Sequence, residues 1–254
     1  MEHPTRRGSA SARIERAHDQ PAYVLHSHAW RETSLVLDVF SRQHGRLALV
    51  AKGAKRPHSP LRTVLLGFAP FRASWSGRGE VRTLTRAEWS GGVAPLVGLG
   101  LLCGFYFNEL LLRLLPREDP HEELFDAYHA ALVRLGDTAH ASAQQVEPLL
   151  RGFEMELLRQ LGHLPPLDVL SSSDQPLRAD EAYRVDAQRG VLELGDADPA
   201  LAIPGSQLLA IAAGRWEHPG ALRTAKALMR DLLGYHLGSR PLRTRQLLID
   251  LHQL

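Results

Sequence analysis

His26 and His28 stand two residues apart, so on a strand both imidazoles would face the same way and could share one metal ion. No third ligand lies nearby in sequence, and thirteen histidines make such a pair unsurprising, so no metal is expected. Glu122/Glu123 and Glu154/Glu156 are the close carboxylate pairs that general acid–base chemistry would need. Each falls in a stretch of helical spacing, where solvation or salt bridges account for them. Cys103 lies in the most apolar segment, and burial there would keep its thiol inert. Gly98, Gly100 and Gly104 approximate a dinucleotide loop. The third glycine is one place late, however, and no strand precedes the run, so helix packing is the better reading. No phosphate-binding GxxxxGK[ST], HExxH or GxSxG motif occurs. With no catalytic constellation, a binding protein rather than an enzyme is expected.

The remaining chemistry belongs to cations. Lys52, Lys55 and Arg56 sit in a Gly/Pro-rich stretch (KGAKRPHSP), with Arg46 before it and Arg62 just beyond. Arg78 occupies a Gly-flanked turn, and Arg82 and Arg86 read as sharing one face of the next strand. Phe71, Trp75 and Trp89 lie among them. Loops rich in Arg and Lys beside aromatic rings hold single-stranded nucleic acid: charge follows the backbone and rings stack on bases. Phe68 and Phe71 read as core, whereas Trp75 fits either core or stacking. A second cluster, Arg240, Arg243 and Arg245, would suit ion pairs, carbonyl capping or a further anionic contact.

The elements that must position these residues fall into two regions. Residues 1–20 are small, polar and charged, and read as a flexible arm. From 21 to 90 the pattern is β: Ala22–His28, Thr33–Phe40, Arg46–Ala51, Phe68–Ser74 and Gly79–Ala87, separated by turn residues and no long helix. Five short strands in about 70 residues fit an OB barrel. After Gly91-Gly92 the apolar period becomes helical. Helices are expected from Leu99 to near Pro116, over Asp119–Leu135 with Pro120 in the first turn, and over Val146–Leu161, Pro204–Ala213, Ala221–Leu237 and Pro241–Leu254. Within this helical domain (91–254), residues 167–198 read as a cysteine-free, irregular insert with one hairpin around Tyr183–Leu194. The predicted class is therefore α+β: an OB-fold barrel followed by an α-helical domain.

Composition agrees with a globular chain: 254 residues, 44% hydrophobic and 23% charged. The net charge of +2 hides a segregation. Residues 1–90 hold 15 Lys/Arg against 7 Asp/Glu, residues 91–214 hold 8 against 18, and residues 215–254 hold 7 against 3. A basic first domain attracts polyanions, because neutralising phosphates releases condensed counterions. The single cysteine excludes an internal disulfide framework and fits a reducing cytoplasm. No export signal is expected, since Arg6-Arg7 are followed by polar residues, and no apolar run is long enough for a bilayer.

Several stretches together carry a family resemblance. They are WRETSLVLDVF (Trp30–Phe40), GRLALVAKGAKRP (Gly45–Pro57), SGRGEVRTLTRAE (Ser76–Glu88), YFNELLLRLLPREDPHEELFDAYHAAL (Tyr106–Leu132), LLRGFEMELLRQLGHLP (Leu149–Pro165) and LGSRPLRTRQLL (Leu237–Leu248). In order and spacing they resemble the bacterial RecO recombination mediator family over nearly the whole chain from about residue 20. The resemblance implies a DNA-repair protein that binds single- and double-stranded DNA and anneals complementary strands. It also implies partners, namely RecR and the acidic C-terminal tail of the single-stranded DNA-binding protein SSB. With RecR, and with RecF in some pathways, such proteins help load RecA onto SSB-coated DNA. Cytoplasmic, nucleoid-associated action is implied as well. Many relatives carry a four-cysteine zinc element after the LGHLP-like segment, but Leu167–Gly190 contains no cysteine here. No zinc is expected, and the segment must be held by packing or be mobile.

An acidic tail ending in an apolar residue and a carboxylate needs an apolar groove with a cation at one end. By resemblance that pocket is carried to Tyr106 and Arg151, with Leu110 and Arg113 as further candidates. The plainer reading makes Tyr106 core and pairs Arg151 with an acidic side chain. The barrel cations Arg46, Lys52, Lys55, Arg56, Arg62, Arg78 and Arg82 are the expected DNA contacts. Two other classes stay open. One is a protein–protein adaptor between SSB and RecR with incidental DNA contact. The other is a phosphodiester enzyme, for which the barrel's Glu32, Asp38, Glu80 and Glu88 are few.

Overall fold

Five strands close on themselves in the first part of the chain. They are β1 (Glu15–Trp30), β2 (Ser34–Ser41), β3 (Gly45–Ala51), β4 (Phe71–Gly77) and β5 (Val81–Trp89), in the barrel order β1-β2-β3-β5-β4. A short helix α1 (Leu61–Val64) lies between β3 and β4. The computed structural model describes residues 15–137, 142–196 and 199–244. All pairings are antiparallel except β3 with β5, where Ala48, Leu49 and Val50 run parallel to Val81, Arg82 and Thr83 and close the barrel. Its core is built from alternate residues of each strand, including Val24, Leu37, Val39, Leu47, Leu49, Phe71, Ala73 and Trp75. The α+β class with an N-terminal OB fold is thus the architecture observed.

Three local expectations change. β1 begins at Glu15, so residues 15–20 are strand, not arm; residues 1–14 lie outside the described residues. Ala17 faces the core opposite Trp75, and a single inward alanine between polar neighbours left no hydrophobic signal. Arg82 and Arg86 do not share a face. A bulge puts Trp75 opposite Leu84 but Ser74 opposite Arg86, so Thr85 is an extra residue that reverses the alternation. The stretch after the basic loop, for which no element was expected, forms the short helix α1.

The chain divides into two compact units, Met1–Gly91 and Gly92–Leu254. The second contains α2 (Gly98–Leu114), α3 (Glu122–Gly136), α4 (Ala143–Gln160), α5 (Gly205–Ala212) and α6 (Ala221–Leu237). Helix α3 buries Leu124, Tyr128, Ala131 and Leu135 at spacings of three and four. It starts at Glu122, so Pro120 precedes the helix; His121 at φ −134° is the non-helical cap. The helix expected from Pro241 falls mostly outside the described residues.

The insert is more ordered than its composition suggests. β6 (Ala182–Asp186), β7 (Gly190–Glu193) and β8 (Ile203–Pro204) form a small sheet in the order β7-β6-β8. The β6–β7 hairpin is the one expected around Tyr183–Leu194. Leu167, Leu170 and Leu177 are buried, and the turn between them is tied by Leu170 N–H to Gln175 O (2.8 Å) and Leu177 N–H to Asp168 O (2.9 Å). Ser171 and Val191 bond reciprocally, each N–H at 2.9 Å from its acceptor. Packing and backbone bonds therefore hold this segment.

Candidate functional site

The basic loop is fixed by its own backbone. Gly53 adopts φ +71°, and the Arg56 guanidinium folds back over the space a side chain would need. Arg56 N–H bonds Gly53 O (3.1 Å), Ser59 N–H bonds Arg56 O (3.0 Å) and Arg62 N–H bonds Ser59 O (3.2 Å). Ala54, 2% exposed, pins the loop to the barrel core. Lys55 N–H donates to Thr33 O (2.9 Å), so the loop also meets the β1–β2 turn. Lys52, Lys55, Arg56 and Arg62 are exposed along it. Leu35, Ala54, Lys55, Leu61, Arg62 and Leu65 line an open depression of about 310 Å³ beside it.

The other barrel cations differ in setting. Arg78 is exposed in the β4–β5 turn. Arg46 is half-buried and lies 3.8 Å from Asp38. Arg82 is buried, with its guanidinium 2.6 Å from Glu15, which the early start of β1 supplies. It braces the barrel instead of facing solvent. Arg86 pairs with Glu88 (2.5 Å), and Arg72 with Asp19, whose carboxyl is held below its usual range by that guanidinium. Among the described residues, Lys52, Lys55, Arg56 and Arg78 form no ion pair.

Trp75 is core: it is 1% exposed and meets the edge of His44, whose pKa burial lowers. The exposed tryptophans are Trp30 and Trp89. Trp30 lies beyond the strand expected at Ala22–His28, so its face was not readable; β1 runs on through Trp30 and leaves it exposed.

In the helical unit, α2 and α4 pack side by side, with the Phe107 and Phe153 rings 4.1 Å apart. This brings Tyr106 and Arg151 to a common partner. Tyr106 Oη donates to Glu154 Oε1 (2.5 Å), and Arg151 Nη1 lies 2.9 Å from Glu154 Oε2. Glu154 is 1% exposed and the Arg151 side chain 10%; the Arg151 Nε is buried without a partner. Leu110 is fully buried and offers no groove surface. Arg113 is committed elsewhere, donating to the O of Leu237, the last residue of α6 (2.8 Å), and to Pro241 O beyond it (3.2 Å). Glu109, one turn before it, accepts from Arg243 N–H (2.8 Å), Thr244 N–H (2.9 Å) and Thr244 Oγ1 (2.7 Å). Burial opposes the Glu109 charge, but these bonds and nearby Arg113 outweigh it and keep its pKa low. Arg243 thus serves through its backbone, Arg240 is exposed, and Arg245 lies outside the described residues.

Two family models cover most of the chain. Recombination protein O N terminal matches residues 16–93, and Recombination protein O C terminal matches residues 98–246. The chain belongs to the RecO family. Among its relatives, each a DNA repair protein RecO, that of Polynucleobacter asymbioticus is 49% identical over 242 residues, covering 94% of this chain and 98% of the relative. The protein of Ralstonia nicotianae is 49% identical, covering 98% and 90% respectively, and that of Paraburkholderia xenovorans 50%, covering 93% and 78%. Membership of the RecO family places the chain in DNA repair and recombination.

The zinc element carried by many RecO proteins does not fit here. Leu167–Gly190 has no cysteine, and no group of three or more His, Cys, Asp or Glu able to hold a metal forms among the described residues. Cys103 is buried in α2 with its pKa pushed up to about 11, far from thiolate chemistry at neutral pH. No helix of the described residues is long and apolar enough to cross a membrane.

Proposed function

We propose that the chain is a recombination mediator that binds single- and double-stranded DNA through its barrel, anneals complementary strands, and engages SSB and RecR to help load RecA in the bacterial cytoplasm. The observation that carries this reading is the rigid basic loop. Lys52, Lys55, Arg56 and Arg62 are held exposed by backbone bonds on an OB barrel, and Arg78 is exposed on the separate β4–β5 turn. Cations fixed in this way neutralise phosphates of two strands and lower their repulsion, so annealing needs no covalent step. Arg46, half-buried beside Asp38, is a lesser candidate for contact, while Arg82, already bonded to Glu15, drops out of the proposed interface.

The tail receptor is proposed at Tyr106 and Arg151 alone. A carboxylate arriving there would compete with Glu154 for the Arg151 guanidinium, whose buried Nε has no bond of its own. The test is annealing of complementary oligonucleotides coated with SSB, with and without the SSB tail. Annealing that depends on the tail supports recruitment followed by action on DNA. Annealing indifferent to the tail overturns the Tyr106/Arg151 assignment. No annealing, with SSB or RecR still bound, makes the chain an adaptor.

A further inference from the structure

His26, His28 and Trp30 lie at alternate positions on β1, where its register with β2 is unbroken from His26 to Trp30. Ser27 and Ala29 oppose Leu37 and Leu35, which pack on the barrel core, so they share the core-side face, although both are themselves exposed. His26, His28 and Trp30 oppose Asp38, Val36 and Ser34 and therefore share the outer face. All three are exposed, Trp30 by 48%. The two imidazole centroids are 6.3 Å apart with their planes inclined by 30°. Pairing of β4 with β1 ends at Ala22, so this half of β1 is bonded along one side only and its ring row borders an open edge.

Two features show what the row would take. It runs directly into cations: Trp30 leads into the turn bearing Arg31, and Thr33 of that turn accepts the Lys55 N–H of the basic loop. Rings in series, ending at fixed cations, match an unstacked strand whose bases lie on the rings and whose phosphates reach the loop. A metal is the poorer occupant, because two imidazoles find no third ligand among the described residues.

We propose that His26, His28 and Trp30 form a stacking row for unpaired nucleobases, extending the basic loop into a single-strand track. This rests on the DNA-binding reading of the barrel. Stacking is sequence-tolerant and needs unpaired bases, so the row discriminates single strands from duplex, which the cations alone do not.

The test is binding of labelled oligothymidylate and of a matched duplex by the full-length chain, across a salt series. Trp30→Ala is expected to weaken single-strand binding about tenfold with duplex binding and the salt slope unchanged. Trp30→Phe should restore most of the loss, and His26→Ala with His28→Ala should add to it. All are surface changes, and an unchanged circular dichroism spectrum and melting temperature confirm folding. Wild-type affinity in Trp30→Ala, while Lys52→Ala with Lys55→Ala still weakens binding, overturns the row and leaves the DNA-binding barrel standing. Equal losses on duplex and single strand also overturn it, as does a shallower slope. No single-strand binding by the wild-type chain overturns both readings.

Discussion

At the scale of single residues, the Arg151–Glu154 pair stabilises the helical unit and is proposed to receive the SSB tail, two roles that mutation must separate. Removing Arg151 alone strands a carboxylate that is 1% exposed, which costs roughly 3–5 kcal/mol, so Arg151→Ala is expected to unfold the helical unit at lower urea. Loss of SSB-tail binding in that variant would say little. Replacing both charges by apolar groups of similar size should be near neutral for stability. Arg151→Met with Glu154→Leu is therefore expected to melt close to wild type and yet lose the tail peptide in a fluorescence titration. Retained peptide binding in that double variant would remove the pocket from Arg151. A second residue is constrained by space. A Cβ on Gly205 would sit 2.0 Å from the Arg178 carbonyl oxygen and 2.9 Å from the Tyr183 ring, where α5 starts beside the small sheet. Gly205→Ala should destabilise the chain by roughly 1–3 kcal/mol in chemical denaturation, whereas alanine at Gly214, which nothing crowds, costs only the strain of its φ of +66°.

At the scale of elements, legibility followed side-chain period. Helix α6 was readable to its ends because Gly220 and Gly238 punctuate it and Ala225, Leu228, Met229 and Leu232 repeat at helical spacing. The barrel strands were readable where alternation is clean. They were misread where one bulged residue, Thr85, reverses the faces, and where Glu15–Gln20 pairs through its backbone while burying only Ala17. The insert misled for another reason: its order comes from three spaced leucines and backbone bonds, which leave no period. The arrangement proposed as a tail pocket was legible only in part. Tyr106 and Arg151 are brought together by Glu154, but Leu110 and Arg113 serve the core and the segment after α6, because faces of α2 are allotted by packing partners that the sequence does not name. The junction of α4 and α6 carries its own pH dependence. His163 and His236 stack with centroids 3.8 Å apart, and burial, with a smaller push from His163, lowers the His236 pKa below 6.5. A depressed folded-state pKa means the unfolded chain binds the proton first as pH falls. This part of the stability is full above about pH 6.5 and is lost as pH drops through the folded value. The melting temperature should therefore fall between neutral pH and pH 5, and His236→Phe, which keeps a ring on His163, should make that fall shallower. An identical profile in His236→Phe would assign the acid sensitivity to other groups, of which His44 in the barrel, also lowered by burial, is the first to examine.

For the whole molecule, the governing quantity is where charge is free and not how much there is. A net charge of +2 would hardly attract a polyanion, but the excess of 15 basic over 7 acidic residues in the first 90 is concentrated in one unit. Within that unit ion pairs remove several cations from play: Arg72 is held by Asp19, Arg82 by Glu15 and Arg86 by Glu88. What remains exposed and without an ion pair among the described residues includes Arg16 on β1, Arg31 in the β1–β2 turn and, as the candidates for phosphate contact in and beyond the basic loop, Arg62 with the four cations Lys52, Lys55, Arg56 and Arg78. Counterion release makes the salt dependence of binding count phosphate contacts, with a slope near −0.7 for each contact on single strands. If these four cations each hold one phosphate, changing all of them to alanine should flatten the slope of log affinity against log salt by about 3. Arg82→Ala should instead lower the melting temperature, since it abandons Glu15, and leave the slope as it was. Measuring both variants on oligothymidylate over a salt series separates contact from scaffold. A quadruple variant with wild-type slope would mean that the polyanion is held by another surface, and the basic loop would then be a feature of solubility, not of recognition.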